Sequence, residues 1–574
     1  MIRATFSGFN TALSALQANQ KRLDVTGQNL SNMNTVGYTR QELKTSSLNY
    51  SGPVSRYMNG SEITVGFGVS MDRVAQIRDP FLDAQYRSQM EKSGYTDGMQ
   101  VSLDSLSNLL DESNILGIRT AFDDVQSVLT NLQDSSKVND AVFETELRNK
   151  MQNLTNLLND AARKVDEARV QEYQRLDGEG TNENGAEQTV NSILEQIGQL
   201  NRQIKHNQVF NQPSLELMDE RNVLLDELAS YIPIEVRYQK DEGHKDDKEW
   251  PDDLYVDMVY YEDGAKKNLT LISGSEGAGN QNYGSLKISE PADRNAPLNI
   301  TAEFTAAASA AQKYPTTQAN PVTIYAADDQ TADVKFRGGS IQAGLDMLGM
   351  DKNSIKDPLT PADIEQANVN VHGYQYYMNH LDNLANGFAT IINELNILGN
   401  HTKLNSKDQF LLVNQDTAGK PSSAGIKASN IGINPDWAKG TVTFGKGIED
   451  DGNNANDTAL AMLQAMSRRY NGTTAADGRD FGVDLGNKTF ANYMNNVSTI
   501  YATDSAKNQN NLKNNVTILN GIQDSRDALS GISLDEEAAN MMTYMAAYNA
   551  ASRLMTTMDE ALNTLINNTG LVGR

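Results

Sequence analysis

The strongest constraint on the fold is an apolar stripe at each end of the chain, in which the apolar residues recur at three- and four-residue steps. The N-terminal stripe consists of Phe6, Phe9, Leu13, Leu16, Leu23 and Leu30, and it continues through Gln20 and Gly27. The C-terminal stripe consists of Leu534, Ala538, Met541, Met545, Tyr548, Met555, Leu562 and Leu565. This spacing is typical of coiled coils. We therefore predict two long terminal helices that pair with each other, in either direction.

Local signals place the ends of these two helices. Ser533 and Glu536 form a capping-box pattern at the start of the C-terminal helix. Asn568 and Gly570 mark the predicted C-terminal end of this helix. The N-terminal helix is predicted to end at Gly37, because glycine adopts the left-handed cap conformation at little cost. At 1.5 Å per residue, each helix would be about 45–50 Å long. The sequence thus predicts terminal helices of matching length.

Both terminal segments also carry apolar residues outside the stripes. Examples are Ala12 and Val25 near the N-terminus, and Met542 and Leu554 near the C-terminus. A seam of two positions in seven covers only part of a helix, so two helices alone cannot bury all of these side chains. We therefore favour packing between molecules, with the two stripes as the assembly interface. Packing inside one molecule only is the alternative.

Between the chain ends, the periodicity changes twice. Helical stripes run from about residue 100 to 231, and short β-branched or aromatic segments then follow up to about 337. Helical periodicity returns at 341–348, 374–398, 457–466 and 490–529. The predicted fold is mainly α-helical with an inserted β-rich domain. Its parts are a terminal helical domain (1–60 and 530–574), a helical rod-like domain (61–233 and 338–529) and a β-rich outer domain (234–337).

Composition excludes several classes of partner. The chain has 574 residues, with 49 Lys and Arg against 74 Asp and Glu, for a net charge of −25. No basic excess is present to displace counterions, so we expect no nucleic acid partner. The chain has no cysteine, which removes disulfides and thiolate sites. No apolar run approaches the about 18 residues of a membrane span, and the polar N-terminal segment does not resemble a cleavable secretory leader.

No segment carries the pattern of an active site. The histidines have no compact metal-ligand spacing, and they are His206, His244, His372, His380 and His401. The acidic segment 240–253 lacks the ligand spacing of a calcium loop. The two glycines in 65–70 do not complete a phosphate-binding pattern, and we predict a turn between strands there. We expect no catalytic residue, no cofactor and no metal, and therefore no enzyme.

Two segments resemble a known family. NLSNMNTVGYTRQ (29–41) resembles the N-terminal signature of bacterial flagellar axial proteins, and SGISLDEEAANMMTYMAAYNAASRLMTTMDEALNTLI (530–566) resembles the C-terminal signature of the hook-associated protein 1 (FlgK) family. Segments 78–87, 217–236, 337–347 and 454–463 fall in that family's order, whereas 238–336 show no family pattern. The residues of the signature turn are Asn29, Asn32, Gly37, Tyr38 and Arg40.

The resemblance implies a structural subunit of the bacterial flagellum at the junction of hook and filament. Such proteins form a ring of about one helical turn, with the terminal helices lining the central channel. They are exported unfolded through the flagellar type III channel, which accounts for a missing leader. The implied partners are copies of the chain itself, the hook protein, the second junction protein, and an export chaperone at the C-terminal helix. The chain ends would be disordered in the free monomer and order on assembly.

Two other functions stay open at this point. The chain could be a different axial protein, either the hook protein or the second junction protein. Alternatively, 234–337 could house an enzymatic or adhesive activity, which convergent acid, base or metal-binding side chains in a cleft would support.

Overall fold

The computed structural model describes residues 7–48, 68–110, 112–134, 137, 141–178, 185–210, 214–240, 253–262, 264–275, 282–289, 300–307, 321–325, 334–349, 372–400, 408–416, 421–448, 456–472 and 481–568. The helices are α1 (Ser7–Ser31), α2 (Pro80–Leu110), α3 (Glu112–Leu132), α4 (Ala141–Asp177), α5 (Ala186–Val209), α6 (Leu215–Tyr231), α7 (Ser340–Leu348), α8 (Tyr374–Gly399), α9 (Pro435–Ala438), α10 (Asp457–Ser467), α11 (Phe490–Ser530) and α12 (Leu534–Asn568). The mainly α-helical class is confirmed.

The strands form small antiparallel sheets. They are β1 (Gln41–Ser47), β2 (Val69–Gln76), β3 (Ile234–Gln239), β4 (Asp253–Glu262), β5 (Ala265–Ser273), β6 (Ser285–Ser289), β7 (Thr301–Thr305), β8 (Val322–Tyr325), β9 (Val334–Lys335), β10 (Leu412–Asn414), β11 (Ile431–Ile433), β12 (Tyr470–Asn471) and β13 (Asp484–Lys488). Within the predicted β-rich region, β3–β4–β5 form one sheet, with β9 also paired to β4, and β6–β7–β8 form another. Outside that region, β1 pairs with β2, β10 with β11, and β12 with β13.

One prediction about the terminal helices is wrong. The N-terminal helix ends at Ser31 rather than at Gly37, because residues 32–37 form turns in which the Thr35 N–H donates to the Asn32 carbonyl at 2.9 Å. Within the described residues, α1 has 25 residues and α12 has 35; α1 begins at the first described residue, and the matching lengths stay a prediction. At the start of α12, the Ser533 hydroxyl accepts a 3.5 Å hydrogen bond from the Glu536 N–H, as the capping box predicts.

The sequence predicts helical periodicity only in the last part of α2, from about residue 100, because the face that its first part buries is largely polar. Gln89, Thr96 and Gln100 are buried on this face, and they point towards α11. Hydrogen bonds link the two antiparallel helices at steps of seven residues. The pairs are the Tyr501 hydroxyl with the Leu103 carbonyl, the Asn508 amide with the Thr96 carbonyl, and the Gln89 amide with the Asn515 carbonyl.

One hydrophobic core extends through the helices between α2 and α11 and through the sheets of the β-rich region. Phe122 contacts Phe388 and Phe490 at ring distances of 5.3 and 5.8 Å. The Asn201 side chain of α5 donates to the Leu254 carbonyl of β4 at 3.2 Å. The helical and β-rich parts are thus continuous in their packing, and the division at 233 and 338 stays a prediction. No described residue of α1 or α12 belongs to this core.

Candidate functional site

The two chain ends pair as antiparallel helices. Gly8 lies against Met558, the Arg22 guanidinium lies 5.5 Å from the ring centre of Tyr544, and the Asn29 amide lies 3.4 Å from Glu537. Between the first and second contacts, the residue number rises by 14 in α1 and falls by 14 in α12. Between the second and third contacts, it rises by 7 in α1 and falls by 7 in α12. The pair is therefore in register over whole heptads, which is the geometry of an antiparallel coiled coil.

The residues of α1 that are fully buried are not those of its predicted stripe. Ala12, Ala18 and Val25 are buried, as are the polar residues Asn19, Thr26 and Asn29. The stripe residues Phe9, Leu16, Leu23 and Leu30 are half-buried, and Leu13 is 39% exposed. Phe6 lies outside the described residues. The small side chains allow close approach of the helices, and the larger apolar side chains remain partly accessible.

The apolar residues of α12 divide between two faces. Met541, Tyr548, Met555 and Leu562 are half-buried. Leu534 and Met545 are 53% and 54% exposed, and the neighbouring Met542 is 66% exposed. The side chain of Leu565 lies outside the described residues. We call Leu534, Met542 and Met545 the outer flank of α12. Pairing with α1 leaves this flank open to solvent.

The signature turn is closed by the side chain of Asn29, at the end of α1. Its amide nitrogen donates to the Gln41 carbonyl at 3.0 Å, and its amide oxygen accepts from the Gln41 N–H at 3.0 Å and from the Tyr38 hydroxyl at 3.2 Å. Asn32 donates to the Gln28 carbonyl at 3.0 Å, and so caps the last turn of the helix. A single buried amide thus holds both sides of the turn.

Gly37 adopts the left-handed conformation, with φ of +78°, at the tip of this turn. A β-carbon at Gly37 would lie 2.3 Å from the Cγ2 atom of Val223 on α6. Glycine is therefore required here both by the backbone conformation and by the close approach of α6.

Arg40 connects the turn to the joint between α11 and α12. Its backbone N–H donates to the Ser530 carbonyl at 2.9 Å. Its side chain donates to Glu537 and to Glu536, each at 2.8 Å. Glu537 is buried at 2% exposure, whereas the Glu536 side chain is 62% exposed. The turn therefore clasps the joint through both backbone and side chain.

Carboxylates of α2 and α6 tie the turn to the body of the protein. The Thr39 hydroxyl and N–H both donate to Asp219, at 2.6 and 3.0 Å. Arg78 lies 3.5 Å from Asp219 and 3.0 Å from Asp83. Arg526 of α11 contacts Asp83 at 3.2 Å and Asp226 at 2.9 Å. Sequence reasoning missed these acidic residues as members of a site, although segments 78–87 and 217–236 contain them.

Burial among these carboxylates changes the acid–base properties of the turn. Burial raises the pKa of Tyr38 to about 12, and the negative charges of Glu216, Asp219 and Glu537 act in the same direction. Burial also raises the pKa of Asp219, while its hydrogen bonds from Thr39 oppose the shift. Tyr38 therefore remains a neutral hydrogen-bond donor to Asn29 at neutral pH.

The three described histidines are not part of this site. His372 lies 2.5 Å from Asp504, and His380 lies 2.6 Å from the Tyr493 hydroxyl. His206 packs on Phe210, whereas His244 and His401 lie outside the described residues. In the described part of the chain, no group of three or more acidic or histidine side chains is placed to hold a metal ion. No described helix is long and apolar enough to span a membrane.

Three family models match the chain. The model described as the flagellar hook-associated protein FlgK helical domain matches residues 103–247. The models described as flagella basal body rod protein and as flagellar basal body rod FlgEFG protein C-terminal match residues 9–39 and 527–568. These last two matches cover most of α1 with the signature turn, and the whole of α12.

A relative matches over the whole length as well. Flagellar hook-associated protein 1 of Bacillus subtilis (strain 168) is 27% identical over 575 residues, which is 100% of each chain. Over its whole length, this chain is thus similar to flagellar hook-associated protein 1. The family's protein from Salmonella typhimurium is 26% identical over 237 residues, covering 40% of this chain and 39% of that protein.

A solved structure, that of the flagellar hook junction protein FlgK from Burkholderia pseudomallei, is 18% identical to this chain. The superposition covers 55% of this chain and 44% of that one, with a TM-score of 0.36. The match to the FlgK helical-domain model and the full-length similarity to flagellar hook-associated protein 1 confirm the resemblance seen in the sequence, and they disfavour the hook protein and the second junction protein as alternatives.

Proposed function

We propose that this chain is a structural subunit of the bacterial flagellum that forms the hook–filament junction by packing its terminal helices against those of neighbouring copies. The similarity to flagellar hook-associated protein 1 over the whole chain supports the junction role. The outer flank of α12 supports the packing mode, because Leu534, Met542 and Met545 stay more than half exposed although α12 is already paired with α1. Contiguous exposed apolar side chains on a helix mark a surface that binds another protein.

The position of the paired ends outside the main core fits this role. Isolated helices are marginally stable, since packing supplies most of helix stability. A pair held by its own contacts, by the β1–β2 sheet and by the signature turn gains stability when neighbouring copies cover its open face. We expect the chain ends to be mobile in the free monomer and rigid in a ring of about one helical turn.

The same exposed residues support the remaining partners. Before export, an uncovered apolar flank on α12 is a liability for aggregation, and a chaperone bound to this helix would cover it. After export through the flagellar channel, the hook protein and the second junction protein would take its place in the extracellular flagellum. The charged groups of the site are paired with each other, so we propose a structural role without enzymatic activity.

The test places charges on the outer flank. Replacing Met542 and Met545 together by aspartate puts two charges at positions that the monomer leaves open. The control replaces Thr543 and Thr557, which are exposed polar residues of the same helix outside the outer flank, by aspartate. We expect both variants to melt like the wild type, and only the Met542/Met545 variant to lose the junction, so that cells release unpolymerised filament protein and do not swim. Normal filaments with the Met542/Met545 variant would refute the packing mode.

A second variant separates the two faces of α12. Leu562 is half-buried within the described terminal pair. Leu562→Asp should therefore loosen the helix pair itself, and proteolysis of the monomer should cut α12 sooner than in the Met542/Met545 variant. Equal effects of the two variants on the monomer would mean that α12 presents no distinct inner and outer face.

A further inference from the structure

A groove of about 910 Å³ lies between the first half of α2, the helix α6 and the edge of the β3–β4–β5 sheet. Its walls include Arg87, Glu91, Val236, Arg237, Tyr238 and Asp257. Most of its charges are already paired. Arg237 lies 2.5 Å from Asp257, Arg87 lies 2.9 Å from Asp226, and Lys266 pairs with Glu235.

The strand β3 turns an unpaired edge outward. Among the described strands it pairs only with β4, in the register Ile234 to Met258. The Val259 N–H donates to the Pro233 carbonyl at 3.0 Å, so residues 233, 235 and 237 are those that bond to β4. The N–H and C=O groups of Ile234, Val236 and Tyr238 therefore point away from β4. No described residue bonds to these backbone groups, and Tyr238 is 53% exposed.

Glu91 is a carboxylate of the groove that lacks a partner. It forms no ion pair and no side-chain hydrogen bond within the described parts of the chain, and a β-carbon on Gly338 would lie 2.4 Å from its Oε1 atom. Arg337 also lines the groove without an ion pair among the described residues, and its guanidinium lies 4.4 Å from the ring centre of Tyr261. Burial raises the pKa of Glu91 to about 7. A half-buried carboxyl without a donor is costly, and a cationic side chain brought to it would remove that cost.

We propose that this groove binds an extended polypeptide segment of a partner protein, which adds to the outer edge of β3 and places a lysine or arginine side chain on Glu91. Strand addition uses main-chain hydrogen bonds for affinity and alternate side chains for specificity. The free backbone groups of β3 would form the main-chain hydrogen bonds that give affinity. The Glu91 carboxyl would give specificity for a cationic side chain. The groove is separate from α1 and α12, so this inference goes beyond the proposed junction packing and fails or holds independently of it.

The probe is a blocked heptapeptide, Thr-Val-Thr-Lys-Thr-Val-Thr, titrated by calorimetry into the full chain. The control peptide has norleucine in place of lysine. We expect the lysine peptide to bind about tenfold more tightly than the control, the effect of one charge-assisted contact. Glu91→Gln should remove this difference and leave the affinity for the norleucine peptide unchanged. The same affinity of both peptides for the wild type would overturn the role of Glu91.

The strand addition has its own test. Val236→Pro removes an outward N–H and leaves the hydrogen bonds to β4 intact, and proline is tolerated at an edge strand. We expect this variant to bind both peptides more weakly by about tenfold or more. Peptides N-methylated at alternate residues provide the same test on the unaltered protein, since only one of the two alternating sets of N–H groups should matter. Failure of the lysine peptide to saturate the wild type at millimolar concentration, or indifference to both proline and N-methylation, would overturn the proposal.

Discussion

The Nε atom of Arg40 donates a 2.8 Å hydrogen bond to the Oε1 atom of Glu537, which joins residues 497 positions apart in the sequence. Asn29 approaches the other oxygen of the same carboxylate at 3.4 Å. Because the Arg40 backbone also bonds to Ser530, one short segment fixes the start of α12, the end of α11 and the turn after α1. The orientation of the terminal helix pair is therefore set at this point.

The first prediction concerns the two ion pairs of Arg40, which differ in burial. Glu537→Gln should destabilise the terminal pair by about 1–3 kcal/mol, because its carboxylate is buried and its removal leaves Arg40 underpaired. Glu536→Gln should cost about 0–1 kcal/mol, since that side chain is largely in water. Hydrogen exchange at the amides of 534–545 measures both effects. A double-mutant cycle with Arg40→Leu should show coupling to Glu537 and little coupling to Glu536, and equal coupling would contradict the geometry.

The second prediction concerns the tip of the signature turn. Gly37→Ala should lower the free energy of unfolding by about 1–3 kcal/mol, because alanine is strained at positive φ and its methyl group would overlap Val223. Val223→Ala removes part of that overlap and should be mild alone, since Val223 is 38% exposed. The double variant should recover part of the lost stability in urea denaturation. If it recovers none, backbone strain alone determines the need for glycine.

How far the sequence specified this structure depends on what each helix buries. The prediction of a helix over 490–529 agrees closely with α11, Phe490–Ser530, because its first turns carry a regular apolar stripe onto the core. The first part of its partner α2 shows no such stripe, since amides and hydroxyls face α11 there. Periodicity of apolar residues cannot reveal a helix that buries polar groups.

The same limit applies to the site. The glycine and asparagines of the turn carry local signals, so the sequence identified them. Asp83, Asp219 and Asp226 are three among 74 acidic residues, and their role depends on helices meeting in space. The predicted apolar stripe of α1 is limited in the same way. Heptad spacing identifies which face of the helix is apolar, but it does not indicate whether the same molecule or a neighbouring copy packs on that face.

The third prediction concerns the polar contacts between α2 and α11. Asn508 is buried and donates to the Thr96 carbonyl at 2.9 Å and to Gln100 at 3.0 Å. Asn508→Ala should lower the free energy of unfolding by about 1–2 kcal/mol, because the Gln100 oxygen loses its partner. Asn510→Ala, two residues away on the exposed side, should change it by less than about 0.5 kcal/mol. Equal effects of the two variants would show that this contact does not contribute to stability.

The last prediction concerns pH. Burial lowers the pKa of His380 to about 3 from the ordinary value of 6.5, and the neighbouring His372 acts in the same direction. Between pH 6.5 and 3, the unfolded chain therefore binds a proton at this residue that the folded chain does not bind, so its contribution to stability is lost as the pH falls through that window. The rings of Tyr376 and Tyr493 lie 4.5 and 5.4 Å from its ring, Asp504 faces it only through His372, and its Nε2 atom has no partner in the described structure.

Phenylalanine fits this aromatic site and cannot take up a proton. His380→Phe should cost one hydrogen bond at pH 7, about 1 kcal/mol, because the Tyr493 hydroxyl keeps its contact with Asn383 at 3.3 Å. As the pH is lowered from 7 to 4, the free energy of unfolding of the variant should rise relative to that of the wild type by about 2–3 kcal/mol. Urea denaturation of the wild type and the variant at both pH values measures the change. Parallel losses of stability in wild type and His380→Phe would mean that His380 takes up its proton in the folded state as readily as in the unfolded chain.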